Sequence, residues 1–252
     1  SAVTCTQRRR TRIAGSARSS SGRLNDREPS GRLTAAAGAR AAGSKRRPAA
    51  ITCHTSRRNS ALPAGLPGVL GPVDLSGCFA EAYARRHGVS ATLALAERIY
   101  RCERVTPPSG VAGRMRRATA ADLELLVAWR RAFREEAATG DPASDREAVE
   151  RDLSQDPGGL WFWEVDGEPV SMAGARGPTP SGIRVGPVYT PPELRGRGYA
   201  GALVGALTQL LLDEGRRFVF LFTDLANPTS NALYQRLGYR GVADRSVYDF
   251  SA

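Results

Sequence analysis

The stretch from Ile183 to Glu214 constrains the fold more than any other part of the chain. Ile183–Thr190 reads as a strand. It feeds a turn containing Gly196 and Gly198, and an amphipathic helix follows from Tyr199, with Leu203, Val204, Leu207, Leu210 and Leu211 on one side. The first amide N–H groups of a helix have no intrahelical partner. Together with the helix dipole they form a ready anion site. Glycines let a pyrophosphate approach the backbone with no Cβ in the way, and Arg195 and Arg197 add charge. The dinucleotide fingerprint GxGxxG is absent, and no Lys-Ser/Thr follows as in a P-loop. Taken alone, the segment also suits an ordinary tight strand-to-helix turn.

The neighbouring elements give the turn its context. Met115 and its neighbours predict a short strand. Thr119-Ala120-Ala121-Asp122 opens a helix with its acid in the first turn. Ser144-Asp145-Arg146-Glu147 has the form of a capping box for a second helix. Leu160–Val165 and Pro169–Ala175 read as strands around a hairpin turn at Asp166-Gly167. Arg217–Thr223 is a continuous apolar strand of the kind buried on both faces. Pro228–Leu237 is a helix closed by Gly238, and Tyr239–Phe250 holds the last strands. The order from residue 114 is β-α-α-β-β-β-α-β-α-β-β, an α/β class with a mixed sheet and helices on both faces. Trp161 and Trp163 share one strand face and Phe162 takes the other, all expected in the core or an interface; Trp129 and Phe133 are four apart on a helix.

Charge divides the chain. Residues 1–60 carry 14 Lys and Arg against Asp26 and Glu28, whereas residues 61–252 carry 22 basic and 23 acidic side chains. The net charge of +11 therefore belongs to the first 60 residues and argues against nucleic acid as partner of the remainder. Residues 1–60 have no aromatic residue and too little apolar surface to offset their ordering entropy, which predicts a disordered basic tail. A nucleic-acid arm, an organelle transit peptide and a stretch that is not selected protein sequence all fit it. Residues 61–113 form a separate segment, with a Pro/Gly loop to Pro72, a short helix at Phe79–Ala84 stopped at Gly88, and a strand suggested within Ala91–Val105. Cys5, Cys53, Cys78 and Cys102 are far apart and the histidines are only His54 and His87, so neither a metal site nor a disulfide framework is expected. No apolar run approaches a membrane span and no secretory signal stands at the N-terminus, which points to a cytoplasmic chain without a membrane partner.

Two motifs together identify a family resemblance. Arg195-x-x-Gly198-x-Ala200 follows Val188-Tyr189-Thr190-Pro191, and Asn227-Pro-Thr-Ser230-Asn231-Ala-Leu-Tyr234-Gln-Arg-Leu-Gly238-Tyr239 follows the later strand. Over 114–252 the chain resembles the GNAT superfamily of N-acetyltransferases. Residues 61–113 look like the end of a degenerate first copy of that fold, of the kind carried by actinobacterial-type relatives.

The resemblance implies acetyl-CoA as co-substrate. The backbone of Arg195, Gly196, Arg197, Gly198, Tyr199 and Ala200 would hold the pyrophosphate. Val188, Tyr189 and Thr190 would pair with the pantetheine arm, and one of their N–H groups would polarise the thioester carbonyl. Asn227 would contact the cofactor and Tyr234 would protonate the leaving thiolate. Glu164, Glu193 and Asp224 are carboxylates that could act as base, although each also reads as a solvated surface group. The acceptor would be a small-molecule or peptide amine, selected by Ala118–Gly140 and Gly177–Gly182, and a homodimer remains open. A CoA-binding module without activity is the alternative, followed by a nucleic-acid-binding protein acting through residues 1–60.

Overall fold

A computed structural model describes residues 63–137 and 144–252. The expectations for residues 1–60 lie outside the described residues. In chain order the elements are β1 (Gly68–Pro72), α1 (Val73–His87), β2 (Ser90–Cys102), β3 (Arg114–Arg117), α2 (Leu123–Glu136), α3 (Asp145–Leu153), β4 (Gly159–Val165), β5 (Glu168–Arg176), β6 (Gly182–Tyr189), α4 (Tyr199–Asp213), β7 (Phe218–Asp224), α5 (Pro228–Arg236) and β8 (Arg240–Ser251). All eight strands join one sheet in the order β1-β8-β2-β7-β6-β5-β4-β3. Only β6 and β7 run parallel; the other neighbours are antiparallel. The mixed α/β class predicted from the sequence is what forms.

Two differences matter for the site. Residues 240–251 make one long strand, where two were expected, because no Gly/Pro/Asn turn interrupts them after Gly241. The place between β7 and β8 is taken by β2, which pairs with β8 from Ser90 to Arg101 and with β7 from Glu97 to Cys102. Two ion pairs cross the β2–β8 ladder, Arg98 to Asp244 at 2.8 Å and Arg245 to Glu97 at 2.6 Å. Strands from both sides of residue 113 thus share one sheet. In addition, Gly68–Pro72 is an edge strand on β8 where a loop was expected, and α1 begins at Val73, six residues before Phe79. Gly88 closes α1 in the left-handed conformation, at φ +66°.

The apolar pattern sets two layers. Leu203, Val204, Leu207 and Leu211 of α4 pack on Ile183, Val185, Val219 and Leu221 in one cluster. Leu126 and Val127 of α2 and Val149 of α3 pack on Phe162, Met172 and Tyr189 in the other. β7 is not buried on both faces as its composition suggested. Val219, Leu221 and Thr223 are buried, while Phe218, Phe220 and Phe222 are half-buried. The phenylalanine face carries guanidiniums instead of a helix: Arg101 lies 4.3 Å from the Phe218 ring, and Arg245 3.8 Å from that of Phe222.

α2 is entered through a capping box in which Asp122 accepts from the Thr119 N–H at 2.7 Å. Arg116 donates both arms to Asp122 at 2.9 Å. That pairing, with the Thr119 bonds, holds the Asp122 carboxyl down at about 2. A depressed folded pKa contributes stability above the unfolded value near 4, lost as pH falls toward 2. Asp122→Asn is therefore expected to cost about 2 kcal/mol at pH 7, from ~1.4 kcal/mol per unit. Urea melts should show the gap from wild type closing between pH 4 and pH 2; a gap independent of pH would sink the assignment. Ser144 precedes α3 as expected, but its side chain makes no cap hydrogen bond. The buried Asp145 beside it instead accepts from Arg134 at 3.0 Å.

Candidate active site

The parallel pairing of β6 and β7 covers only Gly182–Arg184 against Phe218–Phe220. β6 then continues to Tyr189 and β7 to Asp224, and beyond Arg184 the inner edge of β6 has no strand partner among the described residues. One extra residue on β6 at Gly186-Pro187 breaks its register with β5 and turns the end of the strand. A cleft of about 640 Å³ opens where the two strands part.

Its floor and walls come from the motifs. Val188, Tyr189 and Thr190 end β6; Arg195, Gly196, Gly198, Tyr199, Ala200 and Gly201 supply the turn and the first residues of α4; Asn227 and Tyr234 come from α5. Of the residues predicted to bind the co-substrate or act as acid, Arg197 is the one that does not line it: its guanidinium reaches back to the Glu193 carbonyl at 3.4 Å. Gly196 and Gly198 have φ of +77° and +83°, which aims the turn's N–H groups without a side-chain clash. α4 has no acidic residue in its first turn, so its positive end is uncompensated.

Arg195 does not supply free charge, as the sequence suggested. Its guanidinium donates twice to Glu136 of α2 at 2.7 Å and once to the Thr190 carbonyl at 2.8 Å. The residue clamps α2, the end of β6 and the turn together. Ser171 secures the same strand end, donating to the Tyr189 carbonyl and meeting the Thr190 hydroxyl at 2.8 Å. Asn227 caps α5, its side-chain carbonyl accepting from the Ser230 N–H at 3.0 Å.

Tyr234 is 7% exposed and lines the cleft. Its hydroxyl makes no hydrogen bond among the described residues, and burial pushes its phenol up to about 12. The proposed bases separate. Glu164 is buried and ion-paired with Arg116 and Arg114, which corrects its reading as a solvated surface carboxylate. Glu193 is exposed, and Asp224 spends a carboxylate oxygen on the Ala226 N–H at 2.8 Å. None of the three lines the cleft; Glu136 is the carboxylate that does.

The sequence missed the support for α5. Tyr100 of β2 is fully buried; its hydroxyl lies 3.1 Å from Asn231 Oδ1 and accepts from Gln235 Nε2 at 2.9 Å. Asn231 donates onward to the carbonyls of Asp224 and Asn227 at 2.8 and 2.7 Å. The start of α5 is thereby fixed from a strand more than 120 residues earlier. Residues 104–111 follow from β2 along α4: the Thr106 N–H donates to the Leu237 carbonyl at 3.0 Å. A Cβ on Gly205 would sit 3.3 Å from Pro108, and one on Gly198 would sit 3.1 Å from Val111. Helical spacing alone gave no signal for this; the pair Gly201 and Gly205, one turn apart on α4, was the available clue to a close approach.

The comparisons with known proteins agree with this geometry. The acetyltransferase (GNAT) family profile matches residues 124–239. An acetyltransferase of Pectobacterium atrosepticum is 34% identical over 104 residues, which cover 40% of this chain and 70% of the relative. Among solved structures, a GNAT-family acetyltransferase from Colwellia psychrerythraea superposes with a TM-score of 0.54 at 14% identity, covering 74% of this chain and 66% of that one. A GCN5-related N-acetyltransferase from Sphaerobacter thermophilus gives 0.53 at 20% identity, covering 74% and 60%. The chain spans less than two thirds of either structure. It belongs to the GNAT family of acetyltransferases. Among the described residues, no helix is long and apolar enough to cross a membrane.

Proposed function

We propose that the protein moves an acetyl group from acetyl-CoA to an amine by direct attack on the thioester. The observation that carries this reading is the convergence of the α4 turn, the unpaired end of β6 and Tyr234 in one cleft. The residues present suit the co-substrate. The N–H groups at the start of α4 take the pyrophosphate, and the edge of β6 at Val188–Thr190 takes the pantetheine amides as a strand would. An N–H of that edge stabilises the oxyanion that forms when the amine nitrogen adds to the thioester carbon. Collapse breaks the C–S bond, Tyr234 gives its proton to the departing thiolate, and the attacking nitrogen sheds a proton to solvent, from which the phenol is restored. No covalent enzyme intermediate is required, so positioning and charge stabilisation carry the rate.

The acceptor enters beside the C-terminal end of α2, where Phe133, Glu136 and Ala137 line the cleft. Gly177–Gly182 does not line it; this turn joins β5 to the opposite end of β6.

Titration calorimetry of the full chain with acetyl-CoA tests the donor, and Ala200→Glu sharpens it. A carboxylate in the first turn of α4 favours the helix dipole, so the melting temperature should hold or rise slightly. The same charge repels the pyrophosphate, and Kd should rise at least tenfold, about 1.4 kcal/mol. Absence of acetyl-CoA binding by the wild type would remove the proposal.

A further inference from the structure

A second cluster of charge lies away from the cleft, on the sheet face opposite α4, and the acetyl-transfer reading does not use it. Arg176 at the end of β5 and Arg184 near the start of β6 are direct cross-strand partners. Like charges in that position are destabilising. Both are partly buried, and burial pushes both guanidiniums down, Arg176 to about 10; Arg184, Arg130 and Arg151 add to the effect on Arg176, and Arg245 and Arg130 to that on Arg184, against the opposing pull of Asp152 on both and Glu97 on Arg184.

The nearby acid is insufficient. The buried Asp152 carboxylate of α3 is shared by Arg130 at 3.4 Å, Arg176 at 3.6 Å and Arg151 at 3.9 Å. Arg130 leans also on Asp145 at 3.8 Å, so Asp152 is left to answer Arg151 and Arg176 at loose distances. Arg184 stands beside them under the influence of Asp152 and Glu97, neither within ion-pair distance. Arg176 Nε is buried without a hydrogen-bond partner among the described residues. A cavity of about 530 Å³ opens at this place, lined by Arg151, Asp152, Ser154, Gln155 and Arg176, with the exposed Asp156 at its rim.

We infer that this cavity is a binding site for a small phosphate-class oxyanion, held by Arg176 and Arg151, with Arg184 adding positive charge from the neighbouring strand outside the lining. A tetrahedral oxyanion accepts paired N–H bonds from guanidinium forks, and it supplies the negative charge that the cross-strand arginines lack. Gln155 offers a neutral donor at the mouth, whereas the Ser154 hydroxyl already donates to the Arg151 carbonyl at 3.0 Å. The site stands at the end of β6 remote from Tyr189, so it is separate from the pyrophosphate cradle of α4.

The test is thermal unfolding of the full chain in inorganic phosphate or pyrophosphate, against chloride at equal ionic strength. Wild type and Ala200→Glu should both gain melting temperature with the oxyanion. In the Ala200→Glu background, which removes the α4 cradle, Arg176→Gln should lose that gain and weaken the calorimetric Kd for pyrophosphate at least tenfold, and Arg184→Gln should weaken it less. Without oxyanion, Arg184→Gln should melt no lower than wild type, because it removes repulsion and leaves the partners of Asp152 in place. No gain for wild type beyond chloride overturns the inference. So does a gain that persists when Ala200→Glu is combined with Arg176→Gln, or one abolished by Ala200→Glu alone, which would place the anion at α4.

Discussion

A chain reduced to residues 114–252 is expected to lose its cooperative thermal transition. β2 lies between β7 and β8, so its removal deletes two ladders at once and leaves β8 with no partner from residues 114–252. It also withdraws Tyr100, Cys102 and Val105 from the main core cluster. Each large buried side chain of this kind contributes about 1.5–3 kcal/mol, against a total stability of roughly 5–15 kcal/mol for a domain. The loss extends to the site. Without Tyr100, the Oδ1 of Asn231 and the amide of Gln235 lose their buried partner at the start of α5. Without residues 104–111, the Leu237 carbonyl loses the Thr106 N–H, and the packing of Pro108 and Val111 against the glycines of α4 and its cap is gone. Circular dichroism melts and size-exclusion chromatography should show a broad, non-cooperative change and association through the exposed edge of β7. A sharp melt at the full chain's temperature would mean that β8 can close directly onto β7.

This dependence is also where the sequence was hardest to read. The turn at Arg195–Ala200, the strand before it and the α5 motif were legible because their signals are local: glycines where φ is positive, an apolar face at helical spacing, a proline and an asparagine at a helix start. Strand β2 was visible as an apolar stretch, yet nothing in its composition says which strands flank it. Pairing is a long-range property, and the partners of Glu97 and Arg98 are Arg245 and Asp244, about 146–148 residues away. The missing final strand has the same origin: residues 240–251 could be read as a hairpin only while the neighbour of β7 was unknown. Charge misled in one place. Arg195 looked like a free phosphate contact, but one guanidinium nitrogen held between both Glu136 carboxylate oxygens and Nε on a carbonyl at the end of β6 make it a clamp. Glu164 misled in the opposite direction, since alternation on β4 placed it inward beside Arg116 and not in water.

Tyr234→Phe is expected to lower kcat by about a hundredfold or more, the usual scale for a lost general acid, with KM for acetyl-CoA changed less than about threefold. The expectation rests on placement and protonation together. Tyr234 lines the cleft between the α4 turn and the end of β6, where the thiolate leaves in the proposed reaction. Burial holds the phenol at about 12, so it stays protonated through neutral pH; the same burial makes it a weak acid, and its proton moves only as charge develops on the departing sulfur. A phenol raised in this way titrates on neither limb of a rate profile between pH 6 and pH 10; any limb there reports the amine or another group. Stability separates a catalytic role from a packing role. The hydroxyl has no hydrogen-bond partner among the described residues, so its removal breaks no internal bond and should shift stability by less than about 1 kcal/mol. The ring itself remains and keeps its contact with Tyr239, whose centroid is 5.9 Å away. A variant that melts like wild type and turns over a hundredfold more slowly supports the acid. Unchanged turnover would show that water or the acceptor itself delivers the proton, and would leave the α4 cradle and the family assignment untouched.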